Sequence, residues 1–194
     1  ERLTEAIQRA GNYIRFVGLS GAGKTRALYE EAVHHDREGV YITMSPASNG
    51  GSTAGRETLL RGEKEGLGGE RLCCLLMGML YTHLKFYYDY TVPLHITGTK
   101  NVKLQKMFLM TQNTANRLTQ HCAKMPTPPD DERAKKWMAQ MRTTLVVFAT
   151  DPCILLDEIQ MLSTDNDDKP HNWIPLDQRL KELIRAVDKL VEHA

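Results

Sequence analysis

Two short stretches hold the residues whose types and spacing can do chemistry. The first is "GLSGAGKT" over 18–25, with Gly18, Gly21 and Gly23 followed by Lys24 and Thr25. Its spacing, G-x-x-x-x-G-K-[ST], is that of a loop which wraps phosphates with backbone N–H groups. Side chains would block that approach, so glycines occupy the turns and tolerate positive φ. The N–H groups of about Gly21 to Thr25 then converge as an anion nest. A helix that follows adds its positive N-terminal end. Lys24 supplies a point charge for the β- and γ-phosphates, and the Thr25 hydroxyl is a hard ligand for Mg²⁺. The second stretch is "ILLDEIQ" over 154–160, where an apolar run delivers Asp157 and Glu158 side by side. Asp157 is suited to hold Mg²⁺, directly or through water. Glu158 is suited to polarise an attacking water as general base. An adjacent Asp-Glu pair favours hydrolysis over transfer to a metabolite, because water needs a base. Gln160 either contacts the nucleotide or only solvates the strand end, and the second reading is favoured.

These residues need elements to hold them. "YIRFVGLS" (13–20) is a β-rich apolar run ending in glycine, and reads as a strand. "GKTRALYEEAVHHD" (23–36) is rich in helix formers, with Leu28 and Ala32 on one side. "GVYITMSP" (39–46) is a second strand, closed by Pro46. Strand, glycine loop, helix, strand is a βαβ opening and predicts a parallel sheet. "PCILLDEIQ" (152–160) is continuously apolar, as a strand buried on both faces should be. A short helix is expected over 2–10. "ASNGGSTAG" (47–55) is Gly/Ser-rich and reads as a mobile loop.

The middle third reads as helical over about 56–65, 69–90, 101–124 and 130–142. Asp130 and Asp131 are candidate N-caps. "TTLVVFAT" (143–150) is ambiguous: β-branched enough for a strand, yet continuing a helical pattern without a breaker. "STDNDDKPHN" (163–172) is a polar loop, and 175–193 an amphipathic helix. The chain of 194 residues is expected to form one domain. Its core strands lie within about 13–46 and 152–160, around a helical insertion of about 56–142.

Composition sets limits. Net charge is +1, so nothing global argues for a nucleic-acid or membrane partner. Charge is locally uneven: residues 100–136 carry eight Lys/Arg against three Asp/Glu. A solvated face is the expected role of that stretch. "FYYDY" (86–90) just upstream raises the alternative of a stacking groove for nucleic acid, although aromatics on a long helix more often belong to a core. Cys73, Cys74, Cys122 and Cys153 form no C-x-x-C pair, which predicts a reducing compartment and no structural metal. The run "LCCLLMGML" (72–80) is too short to span a bilayer.

On "GLSGAGKT" and "ILLDEIQ", the chain resembles P-loop NTPases with an additional catalytic glutamate, the broad group holding AAA-type and STAND ATPases. The matching motifs cover about 15 of the 194 residues. The resemblance implies an α/β fold, a three-layer sandwich with a parallel sheet. It implies ATP and Mg²⁺ as cofactors. Nucleotide contacts fall on Gly18, Ser20, Gly21, Ala22, Gly23, Lys24, Thr25 and Arg26, metal contacts on Thr25 and Asp157, and catalytic roles on Glu158 and Lys24. Arg26 and the "LYE" continuation (28–30) are similar to the NTPase domain of Crinkler-type and retrotransposon-hotspot-like effectors. That narrower resemblance implies a C-terminal nuclease-like domain or nucleic acid as partner, and an intracellular location, cytoplasmic or nuclear, in a host cell for a secreted effector.

The departures are specific. About 125 residues separate Thr25 from the strand before Asp157, more than a minimal core needs. The family places a strand with a polar sensor residue after Asp-Glu, then an arginine finger; here a loop and one helix follow. Either the chain is an amino-terminal fragment, truncated after the second motif, or "TTLVVFAT" (143–150) substitutes for the expected strand in a rearranged way. Nothing selects Arg142 or Arg179 as a finger, and both read as surface charges. Two other functions fit the same motifs: a non-catalytic, nucleotide-dependent switch or scaffold module, and a small-molecule kinase.

Overall fold

A computed structural model describes Ala27 and residues 38–44, 52–90, 114–148, 152–158 and 176–191. Its elements run β1 (Glu38–Thr43), α1 (Ala54–Lys64), α2 (Gly69–Tyr90), α3 (Asp131–Phe148), β2 (Pro152–Asp157) and α4 (Leu176–Val191). A further helical run covers 114–123, and Ala27 is helical within the expected helix 23–36. The expected strand 13–20, the expected helix 2–10 and the loop 163–172 lie outside the described residues.

α2 is the hub. Its stretch 72–80 is apolar all round, and a helix of that kind must be buried on every side. It packs against α1, α3, α4 and β1. Leu76, Met77, Met79, Leu80 and Leu84 are at most 1% exposed. Each such side chain contributes about 1.5–3 kcal/mol of burial relative to exposure. Cys73, Cys74 and Cys122 are buried free thiols. Removal from water pushes Cys74 and Cys122 up to about 12, so these thiols behave as small hydrophobes rather than nucleophiles.

α1 and α2 meet at a tight turn. Leu67 N–H donates to Gly62 C=O at 2.8 Å and Gly66 N–H to Glu63 C=O at 3.0 Å, with Gly66 at φ +66°. This is the Schellman ending, which needs a left-handed residue that glycine supplies without steric cost. α3 begins where expected: Asp130 Oδ1 accepts the Arg133 N–H at 2.7 Å, which makes Asp130 the N-cap. "TTLVVFAT" resolves as helix. α3 runs through Phe148 because no breaker stops it, and Leu145 continues the buried face begun by Ala134 and Met138.

β1 and β2 pair in parallel, with Ile42 opposite Leu156 and Thr43 opposite Asp157. Met44 N–H extends the ladder to Asp157 C=O at 2.9 Å. Side chains alternate between sheet faces. A Cβ built on Gly55 of α1 would lie 2.8 Å from both Ile42 Cγ2 and Met44 Cε. Ile42 and Met44 therefore face the helices, as do Ile154 and Leu156, which pack against the same core. Thr43 and Asp157 project from the opposite face.

α4 docks through Leu183, Ala186 and Leu190, all at most 2% exposed. Two ionic clusters fasten it. Arg179 forks onto Glu63 with both contacts at 2.7 Å. Glu70 accepts from Arg185 Nη2 at 2.6 Å and Lys189 Nζ at 2.7 Å. No helix among the described residues is long and apolar enough to cross a membrane.

Candidate functional site

The C-terminal end of the parallel pair gathers the polar groups. Asp157 closes β2 as a carboxylate only 7% exposed. The strand reaches it through Cys153 to Leu156, an apolar run that needs burial and so carries the acid to the sheet end. Asp157 Oδ1 accepts the N–H of Glu158 at 2.9 Å. Glu158 is half-buried and adopts φ +55°. That left-handed conformation is unfavourable for a residue with a Cβ, by roughly 1–2 kcal/mol. Strained backbone of this kind concentrates at functional sites. It falls at the residue immediately after Asp157, where β2 ends.

Thr43, across the pair, is 2% exposed. Beside it, Ser52 forms a parallel bridge with Ile42, and Thr43 N–H donates to Ser52 C=O at 3.4 Å. Ser52 Oγ accepts the Ala54 N–H at 3.2 Å and thereby satisfies one of the free donors at the start of α1. Thr119 Oγ1 stands 3.4 Å from the hydroxyls of both Ser52 and Thr53. Thr53 in turn donates to Glu57 Oε1 at 2.5 Å. The Gly/Ser-rich segment, expected as a mobile loop, thus ends in buried, hydrogen-bonded structure, and α1 starts two residues earlier than its apolar pattern suggests.

Of the residues expected to carry chemistry, Asp157 and Glu158 are described and adjacent. Gly18, Ser20, Gly21, Ala22, Gly23, Lys24, Thr25, Arg26 and Gln160 lie outside the described residues. Arg179 is no simple surface charge: its side chain is 11% exposed and committed to Glu63. Arg142 is half-buried on α3. Of the basic stretch, Lys135 pairs with Glu132 at 2.8 Å; in the aromatic-rich end of α2, Lys85 pairs with Asp89 at 2.7 Å. Thr43 was not singled out from the sequence. The only signal there is a polar residue at the end of "VYIT", and its partnership with Asp157 becomes visible through strand register alone.

The donor chemistry at this end is all hard oxygen, carboxylate and hydroxyl, which suits Mg²⁺. Among the described residues, no group of three His, Cys, Asp or Glu side chains converges on one point. A magnesium ion held largely by phosphates and water needs only one or two protein ligands. Comparison with protein-family models, curated proteins and solved structures yields no match.

Proposed function

We propose that this chain is an Mg²⁺-dependent nucleoside triphosphate-binding domain that hydrolyses its nucleotide, with ATP preferred. One observation carries the reading: Asp157 is a buried carboxylate at the C-terminal end of a strand lying parallel to β1. Parallel pairing requires a crossover connection, and ligands of open α/β sheets bind beyond the carboxyl ends of the strands. The phosphate-loop pattern at 18–25 supplies the other half of such a site. In this reading Gly18 to Arg26 wrap the triphosphate. Lys24 neutralises the β- and γ-phosphates and supports charge development during hydrolysis. Thr25 and Asp157 hold Mg²⁺, which neutralises charge on the transferring phosphoryl group. Glu158 receives the proton of the attacking water.

The test uses purified protein with two variants. Lys24→Ala abolishes binding of a fluorescent ATP analogue. Glu158→Gln keeps binding and loses phosphate release by about 10²-fold or more. Undiminished phosphate release by Glu158→Gln would sink the role given to Glu158. Unchanged binding by Lys24→Ala would sink the phosphate loop.

A second reading, a non-catalytic nucleotide-dependent switch or scaffold module, is favoured by Arg179. Its guanidinium is already forked onto Glu63, so any transition-state cation must come from another residue or another chain. The narrower likeness to Crinkler-type effectors, with a nuclease-like domain or nucleic acid as partner, rests on Arg26 and the three residues 28–30. A thermal-shift titration separates the classes. Stabilisation by ATP and Mg²⁺ without phosphate release supports the switch. Nucleotide-dependent transfer to an added metabolite, without background hydrolysis, supports a kinase.

A further inference from the structure

Thr43 and Asp157 are register partners at the ends of two parallel strands. Partners across a ladder project to the same face, and neighbouring strands lie about 4.8 Å apart. The intervening alternation is pinned by Ile42 and Met44, which close on Gly55 from the opposite face. Thr43, 2% exposed, and Asp157, 7% exposed, therefore stand side by side on strands one spacing apart, at the end of the sheet where the proposed nucleotide site lies. The helix-facing side of the strands is apolar at Ile42, Ile154 and Leu156. The polar pair is thus segregated onto one face.

The geometry points to Thr43 as a positioning residue for the divalent cation; this inference rests on the nucleotide reading above. Mg²⁺ binds its ligands at about 2.1 Å and keeps several waters. Beside Asp157, the Thr43 hydroxyl is suited to accept a hydrogen bond of about 2.8 Å from a water on the ion. Asp157 supplies the charge, and Thr43 orients the hydration shell between the carboxylate and the phosphates. Valine at 43 keeps the β-branched shape but has no acceptor. Serine keeps the acceptor.

The experiment measures binding of a fluorescent ATP analogue to the full chain while Mg²⁺ is titrated, and again in EDTA. Thr43→Val raises the half-saturating Mg²⁺ concentration roughly three- to tenfold, the loss expected for one hydrogen bond, and leaves binding in EDTA unchanged. Thr43→Ser restores the wild-type value. Thermal melting of both variants reports their folding. A wild-type Mg²⁺ midpoint in Thr43→Val, or equal weakening with and without Mg²⁺, overturns the assignment of Thr43 alone. Absence of nucleotide binding by the wild type under both conditions overturns the nucleotide reading, and Thr43 with it.

Discussion

At the scale of single residues, the protein holds polar groups where burial is unfavourable. Asp157 and Thr43 do so at the sheet end. His83 does so inside α2. Its side chain is 2% exposed. Nδ1 lies 2.8 Å from Met79 C=O, which can only accept, so Nδ1 carries the proton. Nε2 is buried without a hydrogen-bond partner among the described residues. Burial lowers the His83 pKa from 6.5 to about 4, against a smaller opposing effect of the Met79 hydrogen bond. The sign follows directly. Between pH 6.5 and 4 the unfolded chain binds a proton that the native state refuses, so stability is full above 6.5 and falls with acid. The expected loss across that window is on the order of 3 kcal/mol. His83→Leu should flatten this part of the profile in urea unfolding at stepped pH. An equal slope in the variant would show that other groups set the acid response.

At the scale of elements, the contact of α1 with β1 decides where the sheet end lies relative to the helices. Gly55 sits in the first turn of α1, against Ile42 and Met44. Alanine would gain about 1 kcal/mol of helix propensity there. Its Cβ, however, would meet Ile42 Cγ2 at 2.8 Å. Ile42 is β-branched and stiff at χ1, whereas the Met44 tip can move aside. Overpacking typically costs 1–3 kcal/mol. Gly55→Ala is therefore expected to destabilise by up to about 2 kcal/mol net, seen as a lower urea midpoint. A higher midpoint would mean that α1 slides freely over β1. Helices α1 to α4 were legible from periodicity and breakers, and α2 falls on its expected range 69–90. The end of α3 was not legible, because "TTLVVFAT" satisfies both a strand and a continuing helix. Packing against α2 through Leu145 settled it.

At the scale of the whole molecule, α4 is tied back to α1 and α2 over more than a hundred residues of sequence. Glu70 anchors both Arg185 and Lys189. The Lys189 hydrogen bond, together with the charges of Lys189 and Arg185, holds its carboxyl below the usual value of 4.5 against the opposing effect of burial. A lowered carboxylate pKa contributes stability above the unfolded value and loses it as pH falls through the folded one. Glu70→Gln should destabilise by about 1 kcal/mol at pH 7, since these partly exposed pairs are worth little more. That difference should shrink in high salt, begin to fall as pH drops below the ordinary carboxyl value of 4.5, and disappear once pH has passed through the lowered native one. A difference that persists in strong acid would assign the effect to packing instead. By itself, the sequence determined the helical periods, the spacing of glycines, lysine and carboxylates in its two motifs, and the apolar run that ends in Asp157. These are properties of residue type and local spacing. Only the tertiary structure decided that Thr43 stands beside Asp157, that Arg179 is bound to Glu63, and that Glu158 is left-handed where β2 ends. Register, ion pairing and backbone strain depend on contacts between segments far apart in the chain, and local composition does not encode them.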